Sequence, residues 1–375
     1  MPLSSAEIEV TAGFPVKPLA PTRAHIFRSA ADLNRLSDLV QPLLRGRDTL
    51  DPRFYLASIT SAWIPRVIVI SSDDSIVGVV CAKERKIAGI PTGIIHIDTT
   101  LSNILADDSM SAERVFENAI RRLLVAPGVR GLRLFIPPGG TEQRAIQAVV
   151  ESTPLDECYR KVDYHLLLRL PPSFDFFLRK LGAHTRRNFR YYRRRFEAAG
   201  GQYVEEMTLA EFRVAAFQLL AKDVVGADLA GSNRSLRMLS AVNRPLLAGL
   251  RRDGKWVGIL GGWYESNRAT VHLQMNNDRD FPHDSLCTVL RSYVIESLVA
   301  KNMRGLVFWA GVGPPLSHHA EPVPAILASL DRPGFCWRTC RRVIRRINAR
   351  LPVPVRDIAG WIAPRASCDS GSDVF

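Results

Sequence analysis

Residues 178–201 read LRKLGAHTRRNFRYYRRRFEAAGG, and the part from 179 to 195 holds eight basic residues and no acidic one. Phe189, Tyr192 and Phe196 recur at helical spacing, so one face of a helix can pack while the arginines surround it. The two final glycines end that pattern. This mid-chain position predicts a basic helix that joins two globular halves and faces an anionic partner. A solvated charged helix without a partner is the other interpretation.

The basic charge of the chain is local. The 375 residues carry a formal net charge of +13, and eight basic residues lie in each of the segments 179–195 and 332–356. Without these sixteen residues the net charge would be −3, which is ordinary for a globular protein. Local basicity admits a phosphate-bearing ligand, nucleic acid or an anionic membrane surface. Zinc-finger spacing, an aromatic RNA-binding signature and a basic zipper are absent from the sequence.

Length and residue usage favour a folded cytoplasmic protein of two domains. The sequence contains neither a secretory signal pattern nor an apolar run of about 20 residues, so we expect a cytoplasmic location. The six cysteines form no Cys-x-x-Cys pair, which predicts free thiols and no metal site.

Hydrophobic periodicity predicts the same order of elements in both halves. In the first half this periodicity predicts a helix at 30–44, a β-hairpin at 66–81, a strand at 93–97, a helix at 111–124, a strand at 131–136, a helix at 141–151 and a strand at 164–170. The second predicts helices at 208–221 and 232–241, strands at 245–250, 256–264 and 269–276, a helix at 285–301 and a strand at 305–309. Thr208 and Glu211 form a capping box at the start of the first of these helices. This repetition indicates an internal structural duplication.

We therefore predict five segments. They are a flexible leader at 1–22, an N-terminal domain at 23–172 that has lost its own site, a basic linker helix at 173–202, a C-terminal domain at 203–330 and a basic amphipathic tail at 331–375.

Two motifs resemble a known superfamily. Residues 181–190, LGAHTRRNFR, are similar to the Arg-Arg-Asn linker helix of tandem-domain GNAT acyl-CoA N-acyltransferases, and residues 281–290, FPHDSLCTVL, are similar to their strand-to-helix turn. Within that superfamily the chain resembles the CelD-like acetyltransferases of cellulose and exopolysaccharide biosynthesis, which are related to the FemAB transferases. The resemblance implies an α/β fold with a mixed sheet: tandem GNAT-like domains, each a mostly antiparallel central sheet flanked by helices. It spans about residues 25 to 315.

The resemblance also implies acyl-CoA as the acyl donor and places the donor site at the start of the predicted helix at 285–301. Unpaired N–H groups and the helix dipole favour phosphate oxygens there. Asp284 or Ser285 would be the N-cap. The turn lacks the glycines that the superfamily favours, and a cysteine stands where relatives often carry glycine. The predicted donor-binding residues are Met275, Asn276, His283, Asp284, Ser285, Leu286, Cys287 and Thr288. A well-capped core helix without a ligand is the alternative.

GNAT chemistry implies that backbone N–H groups polarise the thioester carbonyl and that a base takes the proton of the acceptor. Met275 and Asn276 are the predicted N–H donors. Strand alternation predicts that His272 and Gln274 share one face, and His272 has the pKa of a general base. Gln274 and Glu265 complete the predicted catalytic set, and His283 and Asp280 are further candidates. A structural hydrogen-bonding histidine is the alternative for His272.

The tail after residue 331 has Cys340, Val343, Ile344, Ile347 and Leu351 on one helical face and arginines on the other. This pattern is typical of a helix that lies on an anionic membrane surface, and equally of one that packs on the second domain.

The sequence thus predicts an acyltransferase that moves an acyl group, acetyl in the simplest case, from acyl-CoA to an amine or a sugar hydroxyl. One alternative is a FemAB-like transferase that uses aminoacyl-tRNA, in which the arginines of 186–195 contact RNA. The other is a non-catalytic module that keeps the fold and has lost the donor site.

Overall fold

A computed structural model describes residues 22–73, 75–99, 104–222, 229–309, 312–313 and 316–333. The predicted leader and nearly all of the predicted basic tail lie outside the described residues, as do Cys336 and Cys340. Within the described part of the chain, no helix combines the length and the apolar character that a membrane crossing requires.

The described residues form thirteen strands and nine α-helices. The strands are β1 (Thr22–Phe27), β2 (Trp63–Ser72), β3 (Ser75–Ile87), β4 (Ile90–Asp98), β5 (Ile104–Ala106), β6 (Gly131–Ile136), β7 (Asp156–Arg169), β8 (Gln202–Val204), β9 (Pro245–Arg252), β10 (Lys255–Glu265), β11 (Arg268–Asn276), β12 (Gly305–Phe308) and β13 (Glu321–Asp331). The helices are α1 (Ala30–Leu44), α2 (Pro52–Ser58), α3 (Ala112–Val125), α4 (Thr141–Ser152), α5 (Phe174–Lys180), α6 (Ala183–Ala198), α7 (Leu209–Leu220), α8 (Leu229–Ser240) and α9 (Leu286–Ala300).

One continuous mixed sheet runs through both halves of the molecule. Its strand order is β1-β2-β3-β4-β6-β13-β7-β12-β11-β10-β9-β8, with β5 paired to β3. In the N-terminal half an antiparallel meander ends in β4, which pairs parallel to β6. In the C-terminal half a second antiparallel meander ends in β11, which pairs parallel to β12. The predicted fold class, two mixed α/β halves of one plan with a basic linker helix, is confirmed.

The two halves exchange their last strands. β7 follows the elements of the first half but pairs antiparallel with β12 of the second, and β13 ends the second half but pairs antiparallel with β6 of the first. β7 and β13 also pair with each other along the whole of β13. The domain boundaries that the sequence suggests stay a prediction, because each predicted domain supplies a strand to the other's part of the sheet.

Helices cover both faces of the sheet in each half. In the first, α1 and α2 pack on one face around Leu33 and Val67, and α3 and α4 pack on the other around Phe116. In the second, α7 and α8 pack on one face around Phe212, and α5, α6 and α9 pack on the opposite face. The two cores of each half therefore lie on opposite sides of one sheet.

Every predicted helix and strand is present, and most bounds agree within a few residues. The capping box of Thr208 and Glu211 is confirmed, with both reciprocal hydrogen bonds formed. The predicted linker helix is two helices, α5 and α6, because the chain turns at Leu181–Gly182. The prediction missed α2 and the strands β1, β5, β8 and β13.

The apolar stripe of the basic stretch packs as predicted. Phe189 and Phe196 on α6 are buried at 2% and 1% exposure, and Tyr192 packs against the same core. α6 lies against α9, where Arg193 pairs with Glu296 and stacks on the ring of Tyr293. The basic helix is therefore a packed element of the C-terminal half.

A buried ion pair joins the exchanged strand β13 to β6. Arg133 of β6 donates to Asp331 at the end of β13 at 2.9 Å, and both side chains are nearly inaccessible. Gly131 lies opposite Asp331 in the ladder, and a Cβ there would stand 2.1 Å from the Asp331 carboxylate. A glycine at this position therefore makes the room that the carboxylate occupies.

We expect Asp331→Ala to lower the free energy of unfolding by about 3 to 5 kcal/mol, because Arg133 would remain buried without its carboxylate. Urea denaturation of the full chain measures this loss. The double variant R133M/D331L is the matched control, and it should recover most of the loss because it removes both buried charges. A loss below about 1 kcal/mol in the single variant, as for a surface pair, would contradict a structural role.

Candidate functional site

Strand β11 carries a β-bulge at His272. Leu273 pairs with Gly261 of β10, whereas Val271 pairs with Gly262, so His272 is an extra residue without a partner on β10. The two strands approach very closely beside it, since a Cβ on Gly262 would lie 1.8 Å from the carbonyl oxygen of Thr270. Glycine at 262 therefore permits the bulge, and bulges of this kind redirect side chains.

The bulge reverses the face on which His272 lies. His272 contacts Ser235 of α8, on the side where Leu273 and Met275 pack against α7 and α8. Gln274 lies on the opposite face and accepts a hydrogen bond from Arg291 of α9 at 2.9 Å. The prediction that His272 and Gln274 share a face is wrong, because simple alternation fails by one residue at a bulge.

His272 lines a cavity of about 210 Å³ between the two halves. The N-terminal half contributes Phe54, Tyr55, Lys83, His96 and Asp98, and the C-terminal half contributes Arg234, Trp263, Glu265, His272 and Trp309. A concave site lined by aromatic rings and a few converging polar groups is the usual form of a small-molecule site.

The surroundings of His272 fix its tautomer. The Ser235 hydroxyl donates to the carbonyl oxygen of Gly231 at 2.9 Å, so its oxygen is left to accept from Nδ1–H of His272, also at 2.9 Å. Nε2 is then the nitrogen with the free lone pair. Burial lowers the pKa of His272 from 6.5 to about 4, and the positive charge of Arg234 adds to this. The imidazole is therefore neutral at pH 7 and can accept a proton.

Two neighbouring strands carry the opposite wall. Lys83 of β3 and His96 of β4 pair directly across the ladder, and Asp98 lies two residues further along β4 on the same face. Burial lowers the pKa of Lys83, while Asp98 opposes that shift. Burial also lowers the pKa of His96 well below its ordinary value. The first half therefore supplies titratable groups to the lining of the cavity.

Glu265 and Arg234 are the two charged groups that the second half brings to the cavity. Glu265 accepts a hydrogen bond from Nε1 of Trp263 at 3.0 Å, and its other oxygen lies 3.9 Å from Arg268. Nε of Arg234 is buried, and among the described residues it has no hydrogen-bond partner. A buried donor without a partner is costly, so this guanidinium is a candidate ligand-binding group.

A second candidate site lies at the start of α9. The N-cap residue Ser285 has φ 46° and ψ 50°, the left-handed region, and its hydroxyl donates to Thr288 at 2.9 Å without capping the helix backbone. The carbonyl of Ser285 accepts from the amides of Thr288 and Val289. Among the described residues, the amides of Leu286 and Cys287 have no acceptor. They form the kind of anion site that helix N-termini offer.

The basic helix α6 forms the other wall of this site. A cleft of about 600 Å³ is lined by Tyr191, Tyr192, Arg195, Asp278, Pro282, His283, Ser285 and Cys287. Asp284 pairs with Arg195 at 3.1 Å and Arg252 at 2.8 Å. Asp278 is a second carboxylate in the lining, so the unpaired amides at the start of α9 are the groups that favour an anion in the cleft.

Among the described residues, no strand pairs with one edge of β11 between the cavity and the cleft, and we call this the open edge. The parallel pairing with β12 ends at Val271, whose carbonyl accepts from Trp309. Further along the chain, the amide of Asn277 donates to the carbonyl oxygen of Val257, which lies on β10. Because N–H groups alternate between the two edges of a strand, the amides of Gln274 and Asn276 face the open edge and that of Met275 faces β10. Of the two predicted N–H donors, only Asn276 faces the open edge.

The predicted site residues thus fall into two places. His272 and Glu265 line the cavity, while His283, Ser285 and Cys287 line the cleft. Met275 and Leu286 are fully buried in the core, Thr288 is nearly so, and Gln274 lies under α9. Whether these residues bind or react stays a prediction.

The sequence did not lead us to predict that Lys83, His96, Asp98 and Arg234 line a common cavity. Polar residues inside otherwise apolar strands, as in Gly93–Asp98, were a signal for the first three. No comparable signal marks Arg234 on its helix.

The fold resembles those of several solved structures. The C-terminal domain of a protein assigned as a lysylphosphatidylglycerol synthetase from Agrobacterium fabrum has a TM-score of 0.52 at 13% identity, covering 81% of this chain and 92% of that one. L-PGS from Bacillus licheniformis has a TM-score of 0.51 at 10% identity, covering 90% and 97%. FemX has a TM-score of 0.52 at 9% identity, covering 79% and 90%. At these identities the likeness shows the fold alone.

No protein-family model matches the chain. No curated protein matches it in sequence either.

The neutral His272 makes stability depend on pH. The folded state holds its pKa at about 4, below the ordinary 6.5, so the unfolded chain binds the extra proton in between. We expect the stabilisation that depends on neutral His272 to be fully present above pH 6.5. The free energy of unfolding should then fall by about 1 kcal/mol per pH unit as the pH drops towards 4. Urea denaturation between pH 7.5 and 4.5 should show a shallower slope for His272→Asn than for the unmodified protein. His184→Asn, at an exposed position of α6, is the matched control, and equal slopes for His272→Asn and the unmodified protein would contradict the assignment.

Proposed function

We propose that the protein is an acyltransferase that moves an acyl group from acyl-CoA to an amine or a sugar hydroxyl. The observation that carries this proposal is the course of β11. At His272 the strand lies against the cavity, and about 13 Å further on, at Asn276, it approaches the cleft at the start of α9. One strand therefore connects the proposed donor cleft to the cavity that His272 lines.

The donor would bind along the open edge of β11. In this proposal the free amides of Leu286 and Cys287, with Arg195, hold the phosphates of the donor. The amides of Gln274 and Asn276 face the thioester and donate to its carbonyl oxygen as negative charge develops there. Donors fixed in a strand need no reorganisation during the reaction, which is why backbone amides are effective in this role.

The acceptor would bind in the cavity. Its nitrogen or oxygen attacks the thioester carbon, the new bond forms, the carbon–sulfur bond breaks, and CoA leaves as a thiolate, to which the proton lost by the acceptor finally passes. Nε2 of His272 takes the proton that the acceptor loses, and Ser235 keeps the ring in the required tautomer. Burial holds the pKa of His272 at about 4, so the ring is a weak base. A weak base is better suited to take the acceptor's proton during the attack than to remove it beforehand.

The acyl group, the biological setting and the membrane contact that we propose each rest on a different observation. Acetyl as the acyl group and exopolysaccharide or cell-envelope biosynthesis as the setting follow from the CelD-like sequence resemblance. Membrane contact through the basic tail rests on the sequence pattern of that tail.

Calorimetric titration with acetyl-CoA and longer acyl-CoAs tests the donor site. Ser285→Asp is the informative variant, because aspartate tolerates the left-handed N-cap position and is favourable at a helix N-terminus, so the fold is preserved. Its charge would repel the phosphates, and we expect binding to weaken at least about tenfold. Ser285→Asn has nearly the same shape without the charge, and we expect it to bind within about threefold of the unmodified protein.

Saturable binding that Ser285→Asp alone weakens would locate the donor phosphates at α9. Absence of binding to every acyl-CoA would reject this donor and leave the aminoacyl-tRNA-dependent transferase and the non-catalytic module. Equal weakening by both variants would show that the turn matters for geometry and not as an anion site.

A second candidate, transfer from aminoacyl-tRNA, is favoured by one specific observation. Arg187, Arg190 and Arg194 form an exposed face of α6, and among the described residues they have no carboxylate partner. Such a row matches the charge of a phosphate backbone. The fold that the chain shares with FemX is compatible with this candidate as well.

If aminoacyl-tRNA is the donor, tRNA binding should weaken steeply with salt. Replacing the three arginines of that face with glutamine should then reduce the slope of log K against log [salt] by about 2 to 3. Fluorescence titration over a range of KCl concentrations measures the slope. Binding that is independent of salt, or a slope that the triple variant leaves unchanged, would reject this candidate.

A further inference from the structure

We propose that the acceptor bound in the cavity is a small amino-acid-like molecule whose carboxylate is held by Arg234 and whose amine lies beside Glu265 and His272. This inference rests on the proposed function, because it names the class of acceptor for the same site. It selects an amine that carries a carboxylate from the wider class of amines and sugar hydroxyls.

Arg234 is the anion-binding group of the cavity. Its Nε is buried and unpartnered, and among the described residues it forms no ion pair, although it lies on α8 with its side chain in the lining. Its charge acts on both walls, since it lowers the pKa of Lys83 on one side and of His272 on the other. A planar guanidinium in such a position is suited to a bidentate carboxylate.

Among the described residues, the other charged side chains of the cavity are Lys83, Asp98 and Glu265. Asp98 opposes the effect of burial on the pKa of Lys83, so the first half brings one positive and one negative side chain to the cavity. Glu265 is held by Trp263 and keeps a carboxylate in the lining, with the neutral His272 also in the wall. An ammonium or amine of the ligand therefore finds an anion and a proton acceptor in the same cavity that offers Arg234 to a carboxylate.

The volume of the cavity favours a small ligand. A cavity of about 150 Å³ holds benzene, so one of about 210 Å³ suits a molecule of about eight non-hydrogen atoms, which is the size of an amino acid. Phe54, Trp263 and Trp309 supply an aromatic wall where an apolar part of the ligand can pack.

Titration of the full-length protein, without an acyl donor, tests the inference. The probes are the common amino acids, their decarboxylated amines, and phosphoethanolamine as a phosphate-bearing amine. Binding is detected first by the thermal shift of the protein and is then measured by calorimetry. We expect at least one amino acid to bind saturably and its decarboxylated amine to bind much more weakly. Arg234→Gln should weaken that binding by roughly thirtyfold, and Arg234→Lys by less, because lysine keeps the charge and loses the bidentate fork. Arg237→Gln, at an exposed position of the same helix, is the matched control and should bind as the unmodified protein does.

The inference is overturned if no amino acid binds, if the decarboxylated amines or phosphoethanolamine bind as tightly as the amino acids, or if Arg234→Gln binds like Arg237→Gln. Titration of acetyl-CoA into the unmodified protein separates the two proposals. If acetyl-CoA fails to bind while an amino acid still binds through Arg234, the proposed function fails and the ligand class stands.

Discussion

The pairing of β7 with β13 is the constraint on which the rest of the structure depends. These two strands close the centre of the sheet, and each comes from the opposite half. Arg133 and Asp331 then tie the end of β13 into the first half through a buried ion pair. Because each half lacks a strand that the other supplies, neither sheet is complete alone. The cavity between the halves is therefore bordered by elements whose relative position the shared sheet maintains.

Within that frame, a single inserted residue decides which face of the sheet His272 lies on. Without the bulge, His272 would follow strand alternation onto the face of Gln274, under α9, where Arg291 fills the space. With it, the imidazole reaches Ser235 and the cavity, while the amides beyond it turn towards the open edge. Gly262 makes this geometry possible, since any side chain there would collide with the backbone of β11. Ser285, in the lining of the cleft, also has a strained backbone, because its φ of 46° lies in the left-handed region.

Local pattern predicted most of the helices and of the meander strands, although it missed α2, β1 and β8, and it failed for β13, whose pairing is long-range. β13 contains Pro322 and Pro324, and such a segment does not read as a central strand. Both prolines lie where β13 pairs with β7 alone, since pairing with β6 begins only at Ile326. The missing N–H groups therefore cost little. The face of His272 was mispredicted for a related reason, because a bulge is set by the approach of two strands and leaves no mark in the periodicity of one.

The site was predictable only on the side where a motif marks it. The turn at 281–290 indicated the cleft, whose lining includes Ser285 and Cys287 from that turn and Arg195 from α6. The cavity lies instead where α2, β3 and β4 of the first half meet α8, β10 and β11 of the second. Lys83 and Arg234 are far apart in sequence and belong to different halves, yet they face one space. The cavity is therefore lined by both halves and belongs to neither half alone.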